Sequence, residues 1–235
     1  FASSHCVVRN SNFTFVGDGV EINFADFINI SNNIFSELFT SSSTVIAMFA
    51  TQGTVISNNT IGPASDSNIR GIFFEGSSSG VIVSGNTIFS LWRGIEFTSS
   101  TNSIITDNYI NNMSNTAIRV GTSGTLSNIS ENTVSNSTVG IFITGTNILI
   151  RDNSFSGNGL ELNSTKPFKI ESRNQNGTIK LNNVTGMVSS LLDGIYLALS
   201  IVSINSISEP RLSATSANIT LNFTVSESPD TCKYE

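Results

Sequence analysis

The chain has 235 residues, of which 12% are charged and 38% are hydrophobic, and its formal net charge is −6. Globular proteins usually carry about 25% charged residues, so uncharged polar side chains must build much of this surface. The apolar fraction is sufficient for a core and argues against disorder. An acidic chain without a basic run lacks the electrostatic footprint of nucleic-acid binding. No segment reaches the roughly 18 uninterrupted apolar residues of a membrane helix, so we expect neither a nucleic-acid partner nor a direct membrane span.

One sequence phrase, apolar-x-x-Asn-x-apolar, recurs along most of the chain. An imperfect copy lies at residues 7–15, and the later copies follow at steps of 21 to 29 residues. The Asn of each copy is Asn33, Asn59, Asn86, Asn108, Asn132, Asn153, Asn182 or Asn205. A repeat period of this size predicts a solenoid.

A second phrase, Gly-apolar-x-apolar, lies between copies of the first. It begins at Gly19, Gly71, Gly94, Gly140, Gly159 and Gly194, with Ala117 in place of Gly in one copy. The copy at 45–48 lacks the Gly. From residue 71 to residue 140, four copies follow one another at intervals of 23 residues.

Apolar residues alternate with polar ones over three to five positions in both phrases, which indicates short β-strands. Asn, Gly and Ser separate them, as turn residues do. The pattern predicts an all-β fold, a right-handed parallel β-helix of eight or nine coils that rise about 4.8 Å each. We expect the repeated Asn to occupy a left-handed turn position and to stack as a hydrogen-bonded ladder. The Gly is likewise expected to be a turn residue.

Taken together, the two phrases resemble the parallel β-helix repeat family, which includes pectin-lyase-like proteins and the repeat proteins of periplasmic copper processing. The resemblance covers roughly residues 7–208. For activity it implies polysaccharide cleavage or metal handling, but the corresponding motifs are missing. The chain has one histidine, His5, and its methionines are scattered at Met48, Met113 and Met187. The sequence therefore predicts no catalytic residue, no metal site and no cofactor.

The C-terminal part departs from the repeat. Residues 160–178 are expected to form a longer loop or a distorted coil. We assign residues 1–208 to the β-helix and 209–235 to a linker and an orphan strand. Residues 218–225 alternate strictly and resemble the opening strand of an immunoglobulin-like module in prokaryotic surface proteins.

Two arrangements of this tail follow from the sequence. In the first, the strand joins a neighbouring subunit, and Cys232 approaches Cys6 of the next molecule. In the second, the tail folds back along its own rod, leaving an intramolecular disulfide or two free thiols. Two cysteines are too few for a disulfide scaffold. The chain begins at Phe1 without a signal-peptide pattern, which predicts a mature or trimmed piece.

Charged and aromatic residues gather on one predicted face of the central coils. This candidate ligand or interface face consists of Arg70, Phe73, Glu75, Trp92, Arg93, Glu96 and Arg119. Arginines, aromatics and carboxylates can bind a sugar, and two carboxylates about 5–10 Å apart can hydrolyse a glycosidic bond. The alternative is an ordinary cross-strand pair between Glu96 and Arg119, with aromatics that cap the sheet or contact a neighbouring protein.

Asn-x-Ser/Thr sequons are frequent and do not include the ladder asparagines, whose +2 positions are apolar. They predict glycosylation at outer strand positions or loops. The candidates are Asn12, Asn29, Asn58, Asn112, Asn128, Asn136, Asn163, Asn176, Asn183, Asn218 and Asn222.

These features favour an extracellular, non-catalytic protein of a cell-surface layer, appendage or filament, with a structural or adhesive role. We expect self-association, head-to-tail or lateral, and glycans are candidate ligands. The alternative is a polysaccharide-binding or polysaccharide-cleaving protein of the pectin-lyase-like type.

Overall fold

The computed structural model describes residues 5–14, 17–39, 43–65, 68–124, 127–164 and 168–172, and three two-residue strands beyond them. Every regular element in this described part is a β-strand. The all-β prediction is therefore confirmed, and no helix lies between residues 70 and 124 or between 127 and 143.

Three parallel sheets form the walls of a β-solenoid. Sheet A contains β1 (Val7–Arg9), β4 (Asn29–Ser31), β7 (Val55–Ser57), β11 (Ile82–Ser84), β15 (Ile104–Thr106), β18 (Asn128–Ser130), β21 (Ile148–Arg151), β24 (Phe168–Ser172) and β25 (Ala198–Leu199). Sheet B contains β2 (Asn12–Thr14), β5 (Ile34–Ser36), β8 (Thr60–Ile61), β12 (Thr87–Phe89), β16 (Tyr109–Asn111), β19 (Thr133–Ser135) and β22 (Ser154–Ser156). Sheet C contains β3 (Val20–Asn23), β6 (Thr44–Phe49), β9 (Arg70–Glu75), β13 (Arg93–Phe97), β17 (Thr116–Val120), β20 (Val139–Ile143) and β23 (Leu160–Ser164).

The chain runs from sheet A to sheet B to sheet C and then enters the next coil. We number the coils from coil 1 (β1–β3) to coil 7 (β21–β23), so six turns separate the first strand of sheet B from its last. A pair of short strands, β10 (Ser78–Ser79) and β14 (Ser100–Thr101), joins two coils after sheet C. The prediction of eight or nine coils is too high for the described part, which has seven plus β24 and β25. It counted Asn182 and Asn205, which lie outside the described residues.

The core is a stack of identical positions from successive coils. In sheet A, Ile56 pairs with Val83 and Val83 with Ile105, and all three are fully buried. Sheet C behaves in the same way, with Ile72, Ile95 and Ile118 in one buried column. Because strand side chains alternate between faces, this register turns the period-2 pattern of the sequence into one continuous apolar interior.

The corner between sheets A and B has the same length in every coil. Five positions separate the inward residue of the A strand from that of the B strand, as from Ile56 to Ile61 or from Ile105 to Ile110. The corner between B and C is variable: eleven positions separate Ile61 from Ile72, but seven separate Ile88 from Ile95.

The ladder asparagines occupy the constant corner and bind one another, as predicted. Asn86 donates from Nδ2 to Oδ1 of Asn108 at 2.9 Å, and its backbone N–H donates to the same oxygen at 3.0 Å. Its Nδ2 also donates to the Ile56 carbonyl of the preceding coil at 2.9 Å. The same side-chain bonds join successive members of the series Asn33, Asn59, Asn86, Asn108, Asn132 and Asn153. In coil 1, Ser11 takes the ladder position and donates its N–H to Asn33 Oδ1.

The left-handed turn residue is not the ladder Asn, which corrects the prediction. It is the residue before it, as at Asn58, Gly85 and Asp107, with φ between 55° and 64°. This residue directly follows the strand of sheet A. Its left-handed backbone turns the chain, so that the side chain of the next residue, the ladder Asn, points into the interior of the corner. Short polar side chains and Gly tolerate that conformation best.

Three of the repeated glycines, Gly71, Gly94 and Gly140, are strand residues rather than the expected turn residues. Gly71 and Gly94 are buried within β9 and β13. A Cβ on Gly94 would lie 2.5 Å from the Ala117 carbonyl oxygen and 2.9 Å from Ile110 Cγ2. Close contact with the next coil therefore explains these glycines, and the small Ala117 occupies the same position in coil 5.

The segment expected to form a longer loop or a distorted coil contains two strands, and its residues 165–167 and 173–178 lie outside the described residues. β23 and β24 lie within it, and Ile170 pairs with Ile150 in the ordinary register of sheet A. These two strands keep the register of sheets C and A although the sequence repeat loosens here. Further on, β26 (Ser203–Ile204) pairs antiparallel with β27 (Phe223–Thr224), so part of the predicted orphan strand contacts its own chain. The rest of 209–235 lies outside the described residues.

Replacing a ladder asparagine will destabilise the solenoid. In Asn108→Ala, the buried N–H groups of Asn86 lose their acceptor and the Oδ1 of Asn132 loses a donor. Because each buried unpaired polar group costs about 1–3 kcal/mol, we expect a loss of about 3 kcal/mol. The thermal midpoint measured by circular dichroism should fall by roughly 6–12 °C. Asn29→Ala, at an exposed strand position, is the control, and equal losses in both variants would contradict the ladder's role.

Candidate functional site: an arginine cluster on sheet C

The parallel register of sheet C brings together side chains that are 23 residues apart in the sequence. Arg70 of β9 pairs with Arg93 of β13, and Glu96 pairs with Phe73 on one side and Arg119 on the other. Phe73, Glu96 and Arg119 lie on the outer face of the sheet, as the alternation predicts, and the side chains of Arg70 and Arg93 reach Glu96 on that face. We call Arg70, Arg93, Arg119 and Glu96 the arginine cluster.

Glu96 is the centre of this cluster. Arg93 Nη1 donates to both carboxylate oxygens at 2.8 and 2.9 Å, Arg119 Nη1 donates to Oε1, and Arg70 Nε lies 3.1 Å from Oε2. Although Glu96 points away from the core, only 1% of the residue is exposed. Guanidinium groups from three coils cover it, and one of them belongs to Arg119, its cross-strand neighbour.

Aromatic rings hold the arginines from the other side. Arg93 lies over the Trp92 ring at 3.8 Å, and Arg70 lies 4.7 Å from the Phe73 ring centre and 5.4 Å from that of Trp92. Arg119 lies 5.9 Å from Phe142, the next residue in its column. Such cation–π contacts contribute about 0.5–2 kcal/mol each. The rings therefore fix the planes of the guanidinium groups around Glu96.

The cluster carries three positive charges and one negative, a formal excess of +2, on a chain with a net charge of −6. The side chains of Arg70 and Arg119 are 31% and 27% exposed, so this excess charge faces solvent. An anionic group is the natural ligand for such a surface, because guanidinium groups bind carboxylates and similar oxyanions in bidentate fashion.

Hydrolysis of a glycosidic bond does not suit these residues. It needs one carboxyl group that donates a proton and a second that acts as base or nucleophile. Both oxygens of Glu96 are engaged by arginine, and the predicted partner Glu75 is an exposed residue at the end of β9. The structure thus joins six of the seven predicted face residues in one network of contacts, to which Glu75 does not belong.

The remaining predicted sites are distributed over the rod. Among the sequons, Asn12, Asn29, Asn58, Asn112 and Asn136 are exposed, and Asn128 is half-buried. Asn163 lies on β23, but the structure does not describe its side chain. Four further sequons lie outside the described residues: Asn176, Asn183, Asn218 and Asn222. Cys6 is exposed and free, and Cys232 lies outside the described residues, so their predicted disulfide stays a prediction.

Within the described part of the chain, no group of three or more His, Cys, Asp and Glu side chains is arranged to hold a metal ion. The same residues contain no helix with the length and apolarity needed to cross a membrane.

Residues 1–155 match the family described as right-handed β-helix region. The chain belongs to this family. Membership fits a surface protein or a protein that acts on polysaccharides and does not decide between them. Searches of curated proteins and of solved structures gave no match.

Removing the charge of Glu96 will leave three arginines facing one another. Glu96→Gln keeps the shape of the side chain, and breaking a buried ion pair costs about 3–5 kcal/mol. Since the arginines are partly exposed, we expect a smaller loss of about 2–3 kcal/mol in urea unfolding, part of which added salt should restore. Glu75→Gln, at an exposed position of the same sheet, should change stability by under about 0.5 kcal/mol. A Glu96→Gln protein as stable as the parent chain would show that the cluster is not a structural unit.

Proposed function

We propose that this protein is a non-catalytic β-helix scaffold of an extracellular surface layer, appendage or filament. The observation that carries the proposal is the engagement of Glu96. The carboxylate most suited by position to chemistry on the sheet C face holds three coils together and is closed to substrate.

Composition and the placement of sequons support the extracellular part of the proposal. The described surface is dominated by Ser, Thr and Asn on short strands. Five of the six sequons whose side chains are described are exposed. A polar, weakly charged exterior carrying glycans suits a protein that functions outside the cell, where attached sugars add bulk and solubility.

The test combines localisation with activity. Antibodies against the purified chain should label the exterior of intact source cells, and mass spectrometry of material from those cells should find glycans on Asn58, Asn112 or Asn136. The ladder residue Asn86 should be unmodified. Incubation with uronate-containing and neutral polysaccharides should release no reducing ends and no unsaturated sugars. A cytoplasmic signal, or product formation abolished in Glu75→Gln, would overturn the proposal.

Binding of acidic polysaccharide is a second candidate function. It is favoured by the excess charge of +2 and by the Trp92 ring beside Arg93. Saccharide carboxylates or sulfates would pair with the outer edges of Arg70 and Arg119, and no bond would be broken.

Trp92 is the single tryptophan of the chain, so its fluorescence reports directly on this site. If the second candidate is correct, oligogalacturonate or a sulfated oligosaccharide will shift the emission saturably, and Arg119→Gln will weaken binding at least tenfold. A neutral oligosaccharide of equal length is the control ligand. An unchanged spectrum at millimolar acidic ligand would exclude the site.

A further inference from the structure

We infer that two copies of this chain associate laterally through the outer face of sheet C, with their rods antiparallel. The inference rests on the proposed structural function and names the partner as a second copy of the chain. A two-fold axis parallel to the strands, between coils 2 and 3, places coil 1 of one copy opposite coil 4 of the other.

Charge complementarity is the first support. Coil 1 carries Glu21, in the column that continues through Ala47 and Phe73 to Glu96, so in the pair it approaches the guanidinium groups that cover Glu96 of the other copy. It also carries Asp18, whose Oδ1 accepts the N–H of Thr44, the residue paired with Arg70. These two acids bring a charge of −2 to the end of the face. The arginine cluster, centred on coil 4, has a formal excess of +2, so the antiparallel arrangement matches opposite charges twice.

The shape of the column beside the axis is also self-complementary. Ala47 in coil 2 and Phe73 in coil 3 are neighbours in the register, and both are partly exposed on the outer face. In the antiparallel pair, Phe73 of each copy lies over the small Ala47 of the other. The small side chain of Ala47 leaves room for this ring, whereas a larger residue at position 47 would hold the two sheets apart. Position 44, which pairs with Arg70 in the register, is a threonine rather than a charged residue, so Arg70 is not placed opposite another arginine.

The sequons leave this face clear. Asn12, Asn29 and Asn128 lie on sheets A and B, and Asn58, Asn112 and Asn136 lie in turns that border sheet B. The strands of sheet C carry no sequon from coil 1 to coil 6, and Asn163 in coil 7 lies beyond the overlapping coils. Glycans at the described sites would cover two sheets of the rod and leave the third free to pack.

The surface area that each copy would cover on the other predicts a weak association. A six-residue strand is about 20 Å long and four coils rise about 19 Å, so roughly 400 Å² of each copy is covered. This is about half the area per partner of a standard stable complex. We expect a dissociation constant above roughly 10 μM in solution. On a crowded surface, where effective concentrations reach the millimolar range, such a contact is sufficient.

Sedimentation equilibrium from about 10 μM to 1 mM tests the contact on the full chain. We expect reversible dimer formation that salt weakens. Glu21→Arg should weaken association at least tenfold, because the new arginine faces the arginine cluster of the other copy. Glu37→Arg makes the same change of charge at an exposed turn after sheet B and should have no effect. A monomer throughout this range, or equal effects of the two variants, would overturn the inference.

Chemical cross-linking locates the axis. In a Cys6→Ser, Cys232→Ser background, Phe73→Cys should give a covalent dimer with a short bismaleimide, since facing sheets lie roughly 10 Å apart. Phe142→Cys, in the same column three coils away and also beside an arginine, should remain monomeric. Cross-linking of both variants alike would contradict the arrangement.

These outcomes are separable from those of the proposed function. A monodisperse monomer whose Trp92 emission responds to an acidic oligosaccharide would overturn the self-association and assign the face to a glycan. A monomer that labels the cell exterior and releases no sugar product would overturn the self-association alone.

Discussion

Stacking of each coil on the preceding one, in an unbroken parallel register, is the constraint on which the molecule depends. The backbone bonds between strands provide the stacking, but they permit a slip by two residues, which would keep the apolar face inward. The asparagine amides remove that freedom, because each Oδ1 accepts two buried N–H groups from the Asn of the preceding coil. A slip would leave those groups unpaired at a cost of about 1–3 kcal/mol each. The amides therefore fix register more than they add net stability.

The arginine cluster is a product of the same register. Side chains on one column of a parallel sheet lie about 4.8 Å apart, a distance at which like charges repel. Arg70 and Arg93 are direct neighbours, and Arg119 belongs to the coil beyond them. Glu96 makes this tolerable because its carboxylate accepts N–H groups from Arg93 and Arg119 and forms an ion pair with Arg70. The face is thus charged enough to attract an anion, and the carboxylate that holds it together is unavailable for acid–base chemistry.

Much of the fold could be read from the sequence because inward positions repeat in type as well as in spacing. The ladder position is Asn in six described coils, and its place between two apolar residues identifies the corner. The left-handed residue before it escaped prediction, since it varies among Asn, Gly, Asp and Glu. The depth of Glu96 escaped as well, because its burial depends on long side chains that reach it from two other strands. Sequence spacing places residues in columns but does not show how far a guanidinium group extends along them.

The constant corner between sheets A and B contrasts with the variable corner between B and C. Five positions separate inward residues at the first in every coil, whereas seven to eleven do so at the second. All the length variation therefore falls on edges that border sheet C, away from the asparagine spine. Insertions at the edges of sheet C can therefore change the surroundings of the charged face. The corner that holds the asparagine ladder, and with it the stacking of the coils, is unaffected by such insertions.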